Sequence, residues 1–192
     1  VQPNSIDFII TDPPYSDQAP YLEYSSLWIQ ILGFSMPTEA YKYEIVKTDA
    51  PDRVNDSNEY TTRLGDAIYS CSKMLKPNGI MVWFYQDHKF AHWKKIWDVS
   101  KSNDLSIIDV IPFVKQRRSI KTVTAPGKTL DGDLIIVFQK KHFELPIIEN
   151  IDQGLALIKR ELEKTKGSVT FFDKYAIVVR VVMINNFIHL LA

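Results

Sequence analysis

Apolar residues fall along this chain in two kinds of run, and each kind predicts a different element. Phe8, Ile9 and Ile10 form a short unbroken apolar stretch between Asp7 and Thr11, and IMVWFY, residues 80–85, repeats the pattern. Continuous runs of this length belong to strands covered on both faces, as in a buried parallel sheet. Between them Leu64, Ile68, Cys71, Met74 and Leu75 recur at helical spacing and predict an amphipathic helix. Asp56 followed by Glu59 has the form of a capping box at its start, and Pro77, Asn78 and Gly79 close it. A helix of crossover length between two buried strands predicts that residues 6–11 and 80–85 are parallel neighbours in one sheet.

The same reading extends to both sides. Tyr21, Tyr24, Ser25, Trp28, Ile31 and Leu32 share a helical face, with Gly33 as a stop. The plain role of Tyr24 and Trp28 is core packing. Residues 35–55 are polar and carry Pro37 and Pro51, which predicts a long solvated loop with a helical turn at most. Phe90, Trp93, Ile96, Trp97 and Val99 mark another helix, on which His92 falls among lysines and needs no function. Residues 105–114 and 134–140 read as paired antiparallel strands, the second flanked by the turn signal Asp131, Gly132 and Asp133. Ile148, Ile151, Leu155, Ile158 and Leu162 predict a helix over 147–166. From Phe171 the chain is apolar nearly all round, but Arg180, Asn185, Asn186 and His189 interrupt it, which argues against a membrane span. A helix packed on the domain or covered by a partner chain or a missing segment is expected, with a strand as the alternative because of the β-branched residues.

Composition narrows the function classes. The chain has 192 residues, 23 Lys and Arg against 23 Asp and Glu, and one cysteine, Cys71. A balanced charge argues against a generally basic nucleic-acid binder and leaves room for a local patch. The one concentrated patch is KQRRSIKT, with Lys115, Arg117, Arg118 and Lys121, suited either to phosphates or to a solvated loop tip. A lone cysteine excludes an internal disulfide framework and fits a reducing compartment such as the cytoplasm. With Val1 as first residue and a strand close behind it, the chain is expected to be a portion of something longer.

The candidate chemistry follows the first strand. Asp12, Pro13, Pro14 and Tyr15 stand where the carboxyl end of that strand is expected, the end at which open α/β sheets gather their sites. Two prolines fix two φ angles and remove two amide donors, so the loop is stiff and rich in acceptors. A carboxylate beside free carbonyls can accept both hydrogens of an amino group, and a phenol ring can lie against a flat heterocycle. Holding both hydrogens favours a pyramidal nitrogen with its lone pair free, which is preorganised electrostatic catalysis. Gln86, Asp87 and His88 mark a second carboxyl end nearby. His88 is more simply a loop hydrogen-bonding group than a base.

The DPPY sequence, with its lead-in VQPNSIDFIIT, resembles the catalytic motif of the S-adenosylmethionine-dependent amino methyltransferases. In that family Asp at the first position is typical of DNA adenine N6 methylation, Ser of cytosine N4 enzymes, and Asn of enzymes acting on protein glutamine or ribosomal RNA guanine. The run DPPYSDQAPYLEYSSLW resembles a subgroup of adenine-specific methylases, and the L-K-P-N-G unit before the second strand resembles the helix and strand that follow in their fold. The resemblance implies an α/β, partial Rossmann-like methyltransferase fold, mostly parallel with a C-terminal antiparallel hairpin. It also implies a catalytic half-domain over residues 1–145 and a helical extension over 146–192. Asp12 and the Pro13 carbonyl would hold the target amine, with Pro14 shaping the loop and Tyr15 stacking on a flipped adenine. Thr11 and Asp12 would border the S-adenosylmethionine. Tyr21 and the basic residues Lys115, Arg117, Arg118 and Lys121 would contact DNA, or RNA as the alternative, and no metal is required. Restriction–modification is the setting the family suggests. The seven glycines include no G-x-G, so the glycine-rich turn that cradles the cofactor in the family is not in this sequence. A non-catalytic, methylase-like DNA-binding or scaffold subunit is the reading from another class.

Overall fold

The structure, a computed structural model, describes residues 1–16, 20–36, 38–48, 56–114, 130–141, 148–165, 167 and 169–191. Its centre is a four-stranded sheet of β1 (Ile6–Thr11), β2 (Leu75–Tyr85), β3 (Leu105–Val114) and β4 (Gly132–Lys140) in the order β1-β2-β4-β3. β1 and β2 run parallel, with Ile10 opposite Val82 and Thr11 opposite Trp83. β4 lies antiparallel between β2 and β3, pairing Tyr85 with Leu134 on one side and Val110 with Ile136 on the other. The α/β class, the parallel neighbours and the antiparallel hairpin are therefore as the sequence indicates. The parallel part of the described sheet is one pair, smaller than a mostly parallel sheet implies.

The crossover between β1 and β2 is α2 (Ser57–Met74). Its capping box forms as read: Asp56 accepts from the amides of Asn58 and Glu59, and Glu59 accepts from the amide of Asp56. Tyr60, Leu64 and Ile68 on its inner face are fully buried. Pro77 to Gly79 do not separate helix from strand. β2 starts at Leu75, immediately after the helix, and carries Asn78 at a φ of 64° within it. Lys140 fixes this junction by donating to the carbonyls of Ser72 and Leu75 at 2.7 and 2.8 Å and to Asn4 Oδ1 at 2.9 Å.

α3 (Phe90–Lys101) packs on α2, burying Trp93, Ile96 and Trp97. α4 (Ile151–Glu163) is capped by Asn150, and α5 (Phe171–Ile184) by a Thr170–Asp173 box. α5 is the helix expected of the apolar C-terminal stretch. It packs on β3 and α4, and Phe172, Val179, Val182 and Met183 enter the same core as Trp83 and Phe138. The chain itself covers this helix, so the expected external cover is not required there. No helix among the described residues is long and apolar enough to cross a membrane.

Two expectations of burial fail among the described residues. β1 is an edge strand, with Phe8 54% and Ile10 62% exposed. α1 (Tyr21–Ile31) has no buried residue, and Tyr24 and Trp28 are 61% and 64% exposed. Their apolar character matches a covered face, but no described element lies against it.

Candidate active site

β1 delivers the DPPY loop to the carboxyl ends of two adjacent parallel strands, beside the end of β2 at Tyr85, Gln86 and Asp87. The expected site residues Thr11, Asp12, Pro13, Pro14 and Tyr15 are thereby placed together on one short segment. Asp12 is exposed, Pro13 is buried, and Thr11, Pro14 and Tyr15 lie between. The loop ends in a left-handed turn at Ser16, φ 50°, whose carbonyl accepts from the amide of Lys47 at 2.9 Å. A non-glycine residue in that region costs about 1–3 kcal/mol, so the turn is held by its surroundings. Part of the expected solvated loop supplies that hold. Val46 is 2% exposed, and Glu44 accepts from the amide of Leu22 at 3.0 Å, tying the 44–48 segment to the start of α1.

The Tyr15 ring meets Tyr85 edge-on, with centroids 5.9 Å apart at 83°. Its hydroxyl is buried without a well-formed hydrogen bond. Burial, then the neighbouring Asp12 carboxylate, and then Asp133 push the phenol far above its ordinary range. Asp12 is thus a close neighbour of this hydroxyl and is itself exposed to solvent. Tyr21, also expected at the site, is 53% exposed at the start of α1.

Behind the loop lies a hydrogen-bonded group that sequence reasoning missed. Tyr60 Oη donates to the Pro14 carbonyl at 2.9 Å and lies 3.1 Å from Tyr85 Oη. Tyr85 Oη is 3.2 Å from Asp87 Oδ2, which receives His92 Nδ1 at 2.5 Å. The Asp87 carbonyl accepts from Trp93 Nε1 at 3.0 Å and from the Tyr175 hydroxyl. Tyr60, Tyr85, Asp87 and His92 are 0%, 0%, 7% and 1% exposed. His92, read as needing no function, is at the heart of this group because it shares the buried face of α3 with Ile96, one turn on. His88, read as a loop hydrogen-bonding group rather than a base, is exposed.

The whole chain from β1 into α5 bears a family signature: residues 6–177 match the family model for DNA methylases of the N6 and N4 type. The chain belongs to the DNA methylase family. Among solved structures, this methylase-family chain is similar to M1.HpyAVI in complex with SAM, at 18% identity and a TM-score of 0.40, over 77% of this chain and 50% of that one. It is also similar to the PvuII cytosine-N4-specific DNA methyltransferase, at 13% identity and a TM-score of 0.45, over 89% of this chain and 60% of that one. The chain thus spans between half and two thirds of the length of these structures. No curated protein sequence matches it.

The methylase's cofactor cradle does not lie among the described residues. Gly65, Gly79, Gly132 and Gly154 are each closed by packed atoms that an added Cβ would meet at 2.9 Å or less. Gly33 and Gly167 have positive φ and open space around them, at helix ends. None forms a turn at the end of β1 that a nucleotide could approach. Thr11 is half-buried and Asp12 exposed at the end of β1. Lys115, Arg117, Arg118 and Lys121, the expected phosphate contacts, fall outside the described residues.

Proposed function

We propose that this chain supplies the amine-holding half of an S-adenosylmethionine-dependent DNA methyltransferase acting on adenine N6. The observation that carries the reading is the exposed Asp12 carboxylate on a rigid, amide-poor loop at the carboxyl ends of β1 and β2. Asp12 and the Pro13 carbonyl each accept a hydrogen of the target amine, and Tyr15 offers its ring to the extruded base. Extrusion costs a few kcal/mol, and stacking on an aromatic returns about 1–3 kcal/mol per base. S-adenosylmethionine supplies the methyl group, held by residues outside those described. Asp at the first motif position favours adenine over cytosine.

The test is methyl transfer from labelled S-adenosylmethionine to DNA by the full-length protein, followed by nucleoside analysis. N6-methyladenine is expected. N4-methylcytosine would correct the target base, and label appearing only in RNA would correct the substrate. A second reading, a methylase-like subunit that binds or scaffolds DNA for an active partner, is favoured by the missing cradle. It predicts DNA binding without any transfer.

A further inference from the structure

We propose that Tyr60 is a positioning residue for this site, fixing the DPPY loop through the Pro14 carbonyl. The inference rests on the methyltransferase reading and assigns a role to a helix residue outside the motif. Pro13 and Pro14 have no amide hydrogens, so this part of the loop can be hydrogen-bonded only through its oxygens. Those oxygens are also the acceptors that an amine would seek. Tyr60 occupies the Pro14 carbonyl at 2.9 Å, which leaves the Asp12 carboxylate and the Pro13 carbonyl as the pair facing the target. The loop is thereby both located and made selective about which oxygen it presents.

Proton counting orders the group behind it. A phenol has one hydrogen, and that of Tyr60 goes to Pro14. The Tyr60–Tyr85 contact of 3.1 Å therefore uses the hydrogen of Tyr85, which Asp87 Oδ2 at 3.2 Å also attracts. His92 and the Lys89 amide, at 2.5 and 2.8 Å, hold the Asp87 carboxylate in place from its other sides. Polar groups buried this deeply are costly unless every member is partnered, and a hydrocarbon core would close α2 on β2 without them. Their shared product is a hydroxyl with one fixed direction, aimed at the catalytic loop from α2.

The decisive variant is Tyr60→Phe, which keeps the ring in the core and removes only the donor. In the full-length protein the single-turnover rate of methyl transfer is expected to fall on the order of 10- to 100-fold, the usual cost of loosening a support behind a reacting group. Affinity for DNA and cofactor should stay as in wild type, and the melting temperature should fall only slightly, because the Pro14 carbonyl loses this donor while the core stays packed. Tyr85→Phe should reduce the rate by less, in the same direction. In this chain, the Pro14 carbonyl 13C resonance should move in Tyr60→Phe toward its unbonded value, a readout independent of activity. An unchanged rate in Tyr60→Phe beside an active wild type would overturn the inference alone, as would an unmoved Pro14 resonance or a rate loss that merely tracks loss of melting temperature. A wild type that transfers no methyl group would overturn the methyltransferase reading and this inference with it.

Discussion

Asp12 and Tyr15 belong to one loop and meet opposite environments, and the difference sets what their replacement does. Asp12 is exposed, so Asp12→Ala should leave the fold intact. It removes an acceptor for the amine, and a hydrogen bond to a charged group is worth about 1.5–3 kcal/mol. Where that bond tightens mainly in the transition state, the rate should fall about 100-fold or more, measured by single-turnover methylation at saturating cofactor. Tyr15→Phe should instead keep the rate, since stacking uses the ring. Because the hydroxyl is buried without a good partner, its loss should leave stability unchanged or raise it by up to about 1 kcal/mol in chemical denaturation. Burial also raises the phenols of Tyr85 and Tyr175. Above about pH 10 the unfolded chain releases these protons while the folded chain keeps them, so stability should fall as pH rises. Absorbance titration should show these tyrosines ionising only with unfolding. The DPPY residues were legible because they are contiguous and chemically distinctive. Asp87 was placed near them at a second strand end, but Tyr60, Tyr85 and His92 were not legible, since α2, β2 and α3 bring them together only on folding. The available signal was the spacing of His92 and Ile96, which the neighbouring lysines obscured.

Periodicity located the elements well, and what it missed was which faces find a partner. The boundaries of α2, β3 and α5 follow from caps and apolar runs written in the local sequence. β2 began earlier than expected because Lys140, far along the chain, ties the Ser72 and Leu75 carbonyls and allows Pro77 to Gly79 to remain in the strand. The α4 stripe was assigned to Ile148, Ile151, Leu155, Ile158 and Leu162, yet the helix starts only at Ile151, and Ile151 and Leu155 are 45% and 50% exposed while Gly154 and Ile158 are buried. The helix is rotated so that its glycine receives Phe187, whose ring atoms lie 2.1–2.4 Å from where a Cβ would stand. Gly154→Ala tests this packing. Alanine gains about 1 kcal/mol of helix propensity, but overpacking typically costs about 1–3 kcal/mol, and contacts this short place it at the upper end. A net loss of about 1–2 kcal/mol is expected by urea denaturation, and a stabilised variant would show that α4 does not seat on Phe187.

At the scale of the whole molecule, an extensive apolar surface is exposed, and the described residues hold no cofactor cradle. Phe8 and Ile10 on β1, with Leu27, Trp28, Ile31, Leu32 and Phe34 in and after α1, are all more than half exposed, while α5 packs on β3. The end of β1 therefore has a wall on the β2 side, from Tyr85 and its partners, and no described element on the other. Micromolar binding of S-adenosylmethionine corresponds to about −8 kcal/mol. Hydrogen bonds from Thr11 and Asp12 offer about 1.5–3 kcal/mol each at best, and the loss of translational and rotational freedom on association costs an estimated 4–15 kcal/mol or more. With no glycine cradle among the described residues, the sum stays well short. Isothermal titration of this chain with S-adenosylmethionine should accordingly give no heat of binding in the micromolar range, while the full-length protein should bind. Micromolar affinity in the chain alone would mean that the cofactor site lies among these residues after all.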